Sequence, residues 1–186
     1  MPRILALVVL AAIAGFLLWV ALSGDSTVEP TAAEAPEVRN LSTPAVLGEH
    51  PTELVDIDGW LQSDATSLEE AMGEVTIVQF WTFGCYNCKN TIPHLRALYE
   101  EYNDEGLEII GVHAPEFDYE RDVSNIEQAL VDQEIPWQIA LDPERENFRS
   151  WQSGGRRFWP RTYVIDSEGQ IRFDHIGEGA YSDLGD

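Results

Sequence analysis

"FWTFGCYNCKN", residues 80–90, ends a bulky apolar run with two cysteines at CxxC spacing, and the 186-residue chain contains no others. The apolar run 76–80 is of buried-strand type, and beyond the cysteines Ile92, Leu95, Tyr99 and Tyr102 recur at helical spacing. A second apolar run follows at 107–112. Strand, helix, strand in that order is a βαβ unit with parallel strands. Cys85 and Cys88 then fall at the carboxyl end of the first strand, where the helix begins and where α/β proteins place their sites. The free amides and positive dipole end of that helix favour a thiolate at Cys85, while Cys88, one turn on, reaches the first sulfur from a less exposed position.

Working outward, Val123, Ile126 and Leu130 mark a second helix that ends near Pro136, and "WQIAL" after it reads as another strand. "RTYVIDSEGQIRFDHI" holds two β-rich runs around Asp166, Ser167, Glu168 and Gly169, the pattern of a hairpin. The expected architecture is α/β: a mixed central sheet with helices on both faces.

Towards the amino terminus, residues 4–22 carry no charge, and at ~1.5 Å per residue a helix over them spans ~28 Å, the thickness of a bilayer's hydrocarbon core. Arg3 precedes this stretch and Asp25, Glu29, Glu34 and Glu37 follow it, so the positive-inside rule keeps the first residues cytoplasmic and exports the rest. A cleaved signal peptide is the competing reading, with Ala21 and Ser23 as small residues near a processing site, but its apolar core runs to only ~7–15 residues. The expected organisation is an anchor over 1–23, a flexible Pro-, Ala-, Ser-, Thr- and Glu-rich linker over 24–50 with its ends ~30 Å apart, and one domain over 51–186.

The chain carries 33 acidic against 11 basic residues, a net charge of −22, and Lys89 is its one lysine. That surface repels phosphates, which excludes nucleic acid as a partner class. The acid excess either serves solubility alone or adapts the protein to high salt, where carboxylates stay hydrated and their repulsion is screened.

Several chemistries use paired cysteines. A link across so short a loop restrains little of the unfolded chain, so a purely structural staple is disfavoured. Structural zinc needs four ligands, and His50, His94, His113 and His175 offer no second paired spacing. Covalent haem attachment requires histidine after the second cysteine, where Lys89 stands. Two readings remain: a redox-active dithiol, and a metal-binding or copper-delivery module using the same thiolates.

Over about residues 55–181 the sequence resembles the thioredoxin superfamily, in particular its membrane-anchored TlpA/ResA-like branch and the thioredoxin-like (redoxin) domain of DipZ-type proteins. "TIVQFWTFGCYNC" is similar to that family's strand and CxxC entry, Pro93 falls where its first helix kinks, "GVHAPEF" resembles the DipZ-type stretch after the next strand, and "FWPRTYVID" resembles the segment holding its cis-proline. The resemblance implies a thioredoxin-like fold, Cys85 as nucleophile, Cys88 as resolving thiol, and Pro160 in cis with Trp159 offering backbone groups to an extended substrate. It also implies a thiol-disulfide oxidoreductase that needs no cofactor and no metal, a membrane electron donor of the CcdA or DsbD type, and substrates among exported disulfide proteins, apocytochrome c included.

Two departures from the family pattern follow. The buried aspartate found in many thioredoxins six residues before the first cysteine is here Gln79, so another acid is expected to manage the second cysteine's proton. Glu116, after the strand that ends at the same sheet edge, is the candidate; its alternative is a solvated loop carboxylate. The chain also stops at Asp186, before the pattern's closing helix, which leaves one sheet face thinly covered or taken by a partner. Tyr86, Phe117 and Trp159 are expected to form an apolar docking rim, Trp81 and His113 to pack internally, and Trp60 to be structural. Tyr86 and Asn87, between the cysteines, carry no positive charge to stabilise a thiolate, which points to a reductant rather than an oxidant.

Overall fold

In a computed structural model, which describes residues 47–49, 53–152 and 155–184, the chain runs β1 (Gly48–Glu49), β2 (Trp60–Leu61), α1 (Leu68–Ala71), β3 (Val75–Trp81), α2 (Tyr86–Tyr102), β4 (Leu107–His113), α3 (Val123–Asp132), β5 (Gln138–Leu141), α4 (Glu146–Trp151), β6 (Arg161–Asp166), β7 (Gln170–Ile176) and α5 (Tyr181–Leu184). Short 3₁₀ turns at Asn103–Glu105 and Asp118–Arg121 precede β4 and α3. Among the described residues the strands form one sheet in the order β1-β7-β6-β3-β4-β5-β2. β3, β4 and β5 are parallel, and the remaining pairings are antiparallel. This is the mixed sheet that the strand-helix-strand order and the later hairpin predict.

Alternation along β3 builds two cores. Val78 and Phe80 face α1 and α4, where they meet Leu68, Phe148, Trp151 and Tyr163. Phe80 packs against the rings of Phe148, Trp151 and Tyr163 at centroid distances of 6.2, 5.5 and 6.2 Å, contacts worth about 0.5–1.5 kcal/mol each beyond area burial. Ile77 and Trp81 face the other way, against Cys88, Ile92 and Leu95 of α2 and Ile126 and Leu130 of α3. Helices therefore cover both faces, and the period-2 pattern of a strand decides which residue meets which helix.

Gly48 and Glu49, inside the stretch whose composition reads as linker, pair with Ile171 and Gln170 at the edge of the sheet. The apolar segment 4–22 lies outside the described residues, and so does the 24–50 linker apart from 47–49. Among the described residues no helix is long and apolar enough to cross a membrane. On the face carrying α2, a groove of about 250 Å³ opens between Val75, Ile77, Leu98, Tyr102, Val164 and Leu184.

Candidate active site

β3 delivers the chain to the sheet's edge, and a turn through Thr82, Phe83 and Gly84 leads into α2. Cys85 is the N-cap residue of that helix: its backbone is extended (φ −69°, ψ 121°), its amide donates to the Thr82 carbonyl (3.2 Å), and its carbonyl accepts from Lys89 N (3.1 Å). Its Sγ occupies the position that a serine or aspartate oxygen takes in an ordinary cap and accepts a hydrogen bond from Cys88 N at 3.3 Å. Both sulfurs are free thiols; Cys85 is partly exposed and Cys88 is fully buried.

This asymmetry separates the two thiols. The Cys85 pKa is lowered to about 7, chiefly because the Cys88 thiol donates to the Cys85 sulfur, with the Cys88 and Asn87 amides adding to the effect and burial and the Glu116 charge opposing it. Cys88 is pushed far above the ordinary thiol range, first by burial and then by its bond to Cys85 and the Cys85 charge. Near neutral pH Cys85 is thus the thiol that readily gives a thiolate, while Cys88 keeps its proton. A nucleophile facing solvent and a protonated thiol behind it is an arrangement that can open a disulfide and then close its own.

Beneath the pair lie the neutral side chains of Gln79 and Thr91. Gln79 projects on the α2 face, and its Nε2 donates to Thr91 Oγ1 at 2.9 Å; Thr91 Oγ1 in turn donates to the Cys88 carbonyl at 2.7 Å. His113 is buried, stacked on Phe83 and edge-on to Trp81, and burial depresses its pKa to about 3. It is an uncharged packing residue at physiological pH, and Trp81 is likewise fully internal.

The structure brings Glu116 and Phe117 to the loop after β4, level with the thiols. Glu116 is exposed and acts on Cys85 through its charge rather than through a hydrogen bond. Phe117 is exposed and stacks on Tyr119 (5.9 Å), and Tyr86, the first residue of α2, is 74% exposed. Trp159 differs from the other rim residues: its half-buried ring stacks on Phe148 at 4.0 Å and donates Nε1–H to the Ala114 carbonyl at 2.9 Å. Its ring is a clamp between segments, which leaves its backbone for any contact with a substrate. The Trp159–Pro160 peptide bond is cis, as the resemblance implies. Phe83, Lys89, Tyr119 and Gln133 line an open groove of about 480 Å³ beside the site.

Three residues that hold this site carry no signal in a linear reading. The side-chain amide of Gln152 bonds both backbone groups of Phe158 (2.9 Å from N, 3.3 Å to O) and so fixes the approach to Trp159. The buried Asp142 carboxylate caps α4, accepting from Asn147 N (3.3 Å) and Phe148 N (2.8 Å), and orients the ring on which Trp159 stacks. Glu120, also fully buried, accepts from three amides: Gly84 N (3.0 Å), Glu116 N (2.6 Å) and Phe117 N (2.9 Å). In "HAPEFDYER" it is one acid among several, and nothing in the spacing distinguishes it from its solvated neighbours. Among the described residues no group of three or more His, Cys, Asp or Glu side chains is arranged to hold a metal ion.

Residues 53–174 match the model of the AhpC/TSA family. The chain is 36% identical over 133 residues to Protein DipZ of Mycobacterium tuberculosis, a match that covers 70% of this chain and 19% of DipZ. It thus spans about a fifth of the length of the curated relatives it matches first. To the thiol-disulfide oxidoreductase YkuV of Bacillus subtilis it is 27% identical over 126 residues, covering 67% of this chain and 82% of YkuV. A crystal structure of a thiol-disulfide isomerase from Corynebacterium glutamicum superposes with a TM-score of 0.62 at 21% identity, covering 73% of this chain and 92% of that one. That likeness is one of fold, and with it the mixed sheet and its helices are a thioredoxin-like α/β fold.

Proposed function

The chain belongs to the AhpC/TSA family, and from that premise we propose that it is a thiol-disulfide oxidoreductase in which Cys85 is the nucleophile and Cys88 the resolving thiol. One observation carries this reading: the Cys85 sulfur, partly exposed, caps α2 and is hydrogen-bonded from a buried Cys88 that keeps its own proton. The Cys85 thiolate attacks one sulfur of a partner disulfide, and the other partner sulfur leaves as thiolate and takes a proton. Cys88 then attacks the Cys85 sulfur of the mixed disulfide, its proton passing to the second partner thiolate as that leaves. Two electrons have moved: the partner emerges as a dithiol and the enzyme as the Cys85–Cys88 disulfide.

The partner strand docks against Tyr86 and Phe117, beside the backbone at Trp159 and Pro160, with the Glu116 charge near the nucleophile. The direction is reductive, because neither the Tyr86 nor the Asn87 side chain brings a positive charge to the thiolate, and the potential is therefore nearer that of thioredoxin (~−270 mV) than that of DsbA (~−120 mV). No cofactor takes part. The uncharged stretch 4–22 supports a membrane-anchored domain outside the cytoplasm, in the periplasm or at the cell surface, reducing exported disulfide proteins such as apocytochrome c and recharged by a membrane donor of the CcdA or DsbD type.

Trapping tests the division of labour. Cys88→Ser should accumulate mixed disulfides with partner proteins, whereas Cys85→Ser should not, and the wild type should accelerate insulin reduction by dithiothreitol. Equal trapping by both variants would overturn the assignment.

A further inference from the structure

Glu120 is an ionisable side chain at 0% exposure, yet the thiol exchange just described makes no use of it. Both of its oxygens are occupied: Oε1 by the amide of Gly84, the residue before the nucleophile, and Oε2 by the amides of Glu116 and Phe117. These donors come from two segments far apart in sequence, the CxxC turn and the loop after β4, so the carboxylate is the tie that holds the loop against the turn. The approach is close enough that a Cβ on Gly84 would lie 2.2 Å from Glu120 Oε1. Such a site excludes solvent, and a charge there acts on its neighbours with little screening.

The other ionisable groups around the thiols differ from it. Glu116 and Lys89 are exposed, so water and salt screen them, and the buried His113 is neutral. We propose, building on the oxidoreductase reading, that Glu120 is a positioning residue of the thiol pair: it holds the Gly84–Cys85 turn in place and, through its fixed charge, favours the disulfide over the dithiol. The electrostatic logic is one-sided. Reduction of the Cys85–Cys88 disulfide takes up two electrons and two protons, and the dithiol then sheds a proton to form a thiolate, whereas the disulfide is neutral. A buried carboxylate beside the pair disfavours negative charge on the sulfurs and leaves the disulfide untouched; its charge opposes ionisation of Cys88, while the exposed Glu116 opposes that of Cys85. Glu120 thereby makes the protein a better electron donor.

The test is the equilibrium with glutathione of the wild type, Glu120→Gln and Glu116→Gln, each read by alkylation, together with the pH profile of Cys85 alkylation. Glu120→Gln should move the equilibrium constant roughly tenfold towards the dithiol, about 30 mV for a two-electron couple. Glu116→Gln, which removes the carboxylate that opposes the Cys85 thiolate, should shift the Cys85 profile to lower pH but move the equilibrium constant by less than half as much. A purely architectural role would lower the melting temperature of both redox states together and leave the potential where it was. An unchanged potential in folded Glu120→Gln, or equal shifts from the two variants, would overturn the proposal. Should the glutamine variant not fold, the carboxyl carbon resonance of Glu120 in ¹³C-glutamate-labelled wild type should move between the oxidised and reduced states, and a resonance that stays still would overturn it equally. A wild type with no measurable thiol-disulfide couple would instead defeat the oxidoreductase reading on which the assignment rests.

Discussion

Gly84→Ala adds a single carbon, and the structure says what it meets: Glu120 Oε1 at 2.2 Å, Tyr119 Oη at 2.7 Å and Glu120 Cδ at 3.3 Å. Tyr119 is 54% exposed, and its hydroxyl can swing away at little cost. The Glu120 carboxylate cannot, because moving it stretches three backbone hydrogen bonds at once. Losing one bond to a charged acceptor costs about 1.5–3 kcal/mol, and overpacking a filled site costs about 1–3 kcal/mol. Gly84 has no left-handed backbone, so alanine there returns about 0.4–1 kcal/mol by restricting the unfolded chain. The net expectation is a loss of about 2–5 kcal/mol, or roughly 6–25 °C in melting temperature for a domain of this size. Thermal denaturation of the reduced protein followed by circular dichroism measures it at fixed pH and salt. Gly155→Ala is the control, since a Cβ there has nothing within 4 Å and should leave the melting temperature unchanged or slightly raised. A Gly84→Ala protein that melts within about 2 °C of the wild type would refute the claim that Glu120 is rigidly held against the turn.

Alkylation of the reduced protein by iodoacetamide should follow a midpoint near pH 7 from Cys85 alone, and Cys88→Ala should move that midpoint up, because the Cys88 thiol is the largest cause of the lowered value. The linked stability has a definite sign: a pKa lowered on folding stabilises the reduced form fully above the ordinary thiol value near pH 9, and that contribution is lost as pH falls through about 7. Differential melting of reduced and oxidised protein between pH 6 and about 9 should therefore show the reduced form gaining, and parallel curves would contradict the assignment. The net charge of −22 predicts self-repulsion in dilute buffer, so the melting temperature should rise towards molar potassium chloride; a flat response would leave the acidity as a matter of solubility.

What could be read from the sequence is what short-range pattern controls. β3, β4 and β5, helices α2 and α3, and the β6–β7 hairpin follow from apolar periodicity, because a strand or helix with a buried face must repeat its apolar residues at that element's own period. The same logic placed Cys85 and Cys88 at the start of α2, and the resemblance in "FWPRTYVID" placed the cis bond before Pro160. The two-residue strands β1 and β2 and the six-residue α4 escaped, since elements so short exist only through pairing or packing with partners distant in the chain.

The environment of each side chain was decided by the tertiary structure. Glu116 and Glu120 lie in one loop with the same chemistry, yet one is solvated and the other buried against Gly84, 36 positions away. Trp159 looks from its neighbours like a docking aromatic, but Phe148 and the Ala114 carbonyl draw its ring inward. Sequence alone determined that two thiols stand one helical turn apart at the end of a parallel strand. Only the packed fold decided which thiol meets solvent, which carboxylate shares the interior with them, and hence how their proton affinities divide, because desolvation and hydrogen bonding depend on atoms that the chain brings together only when it closes its core.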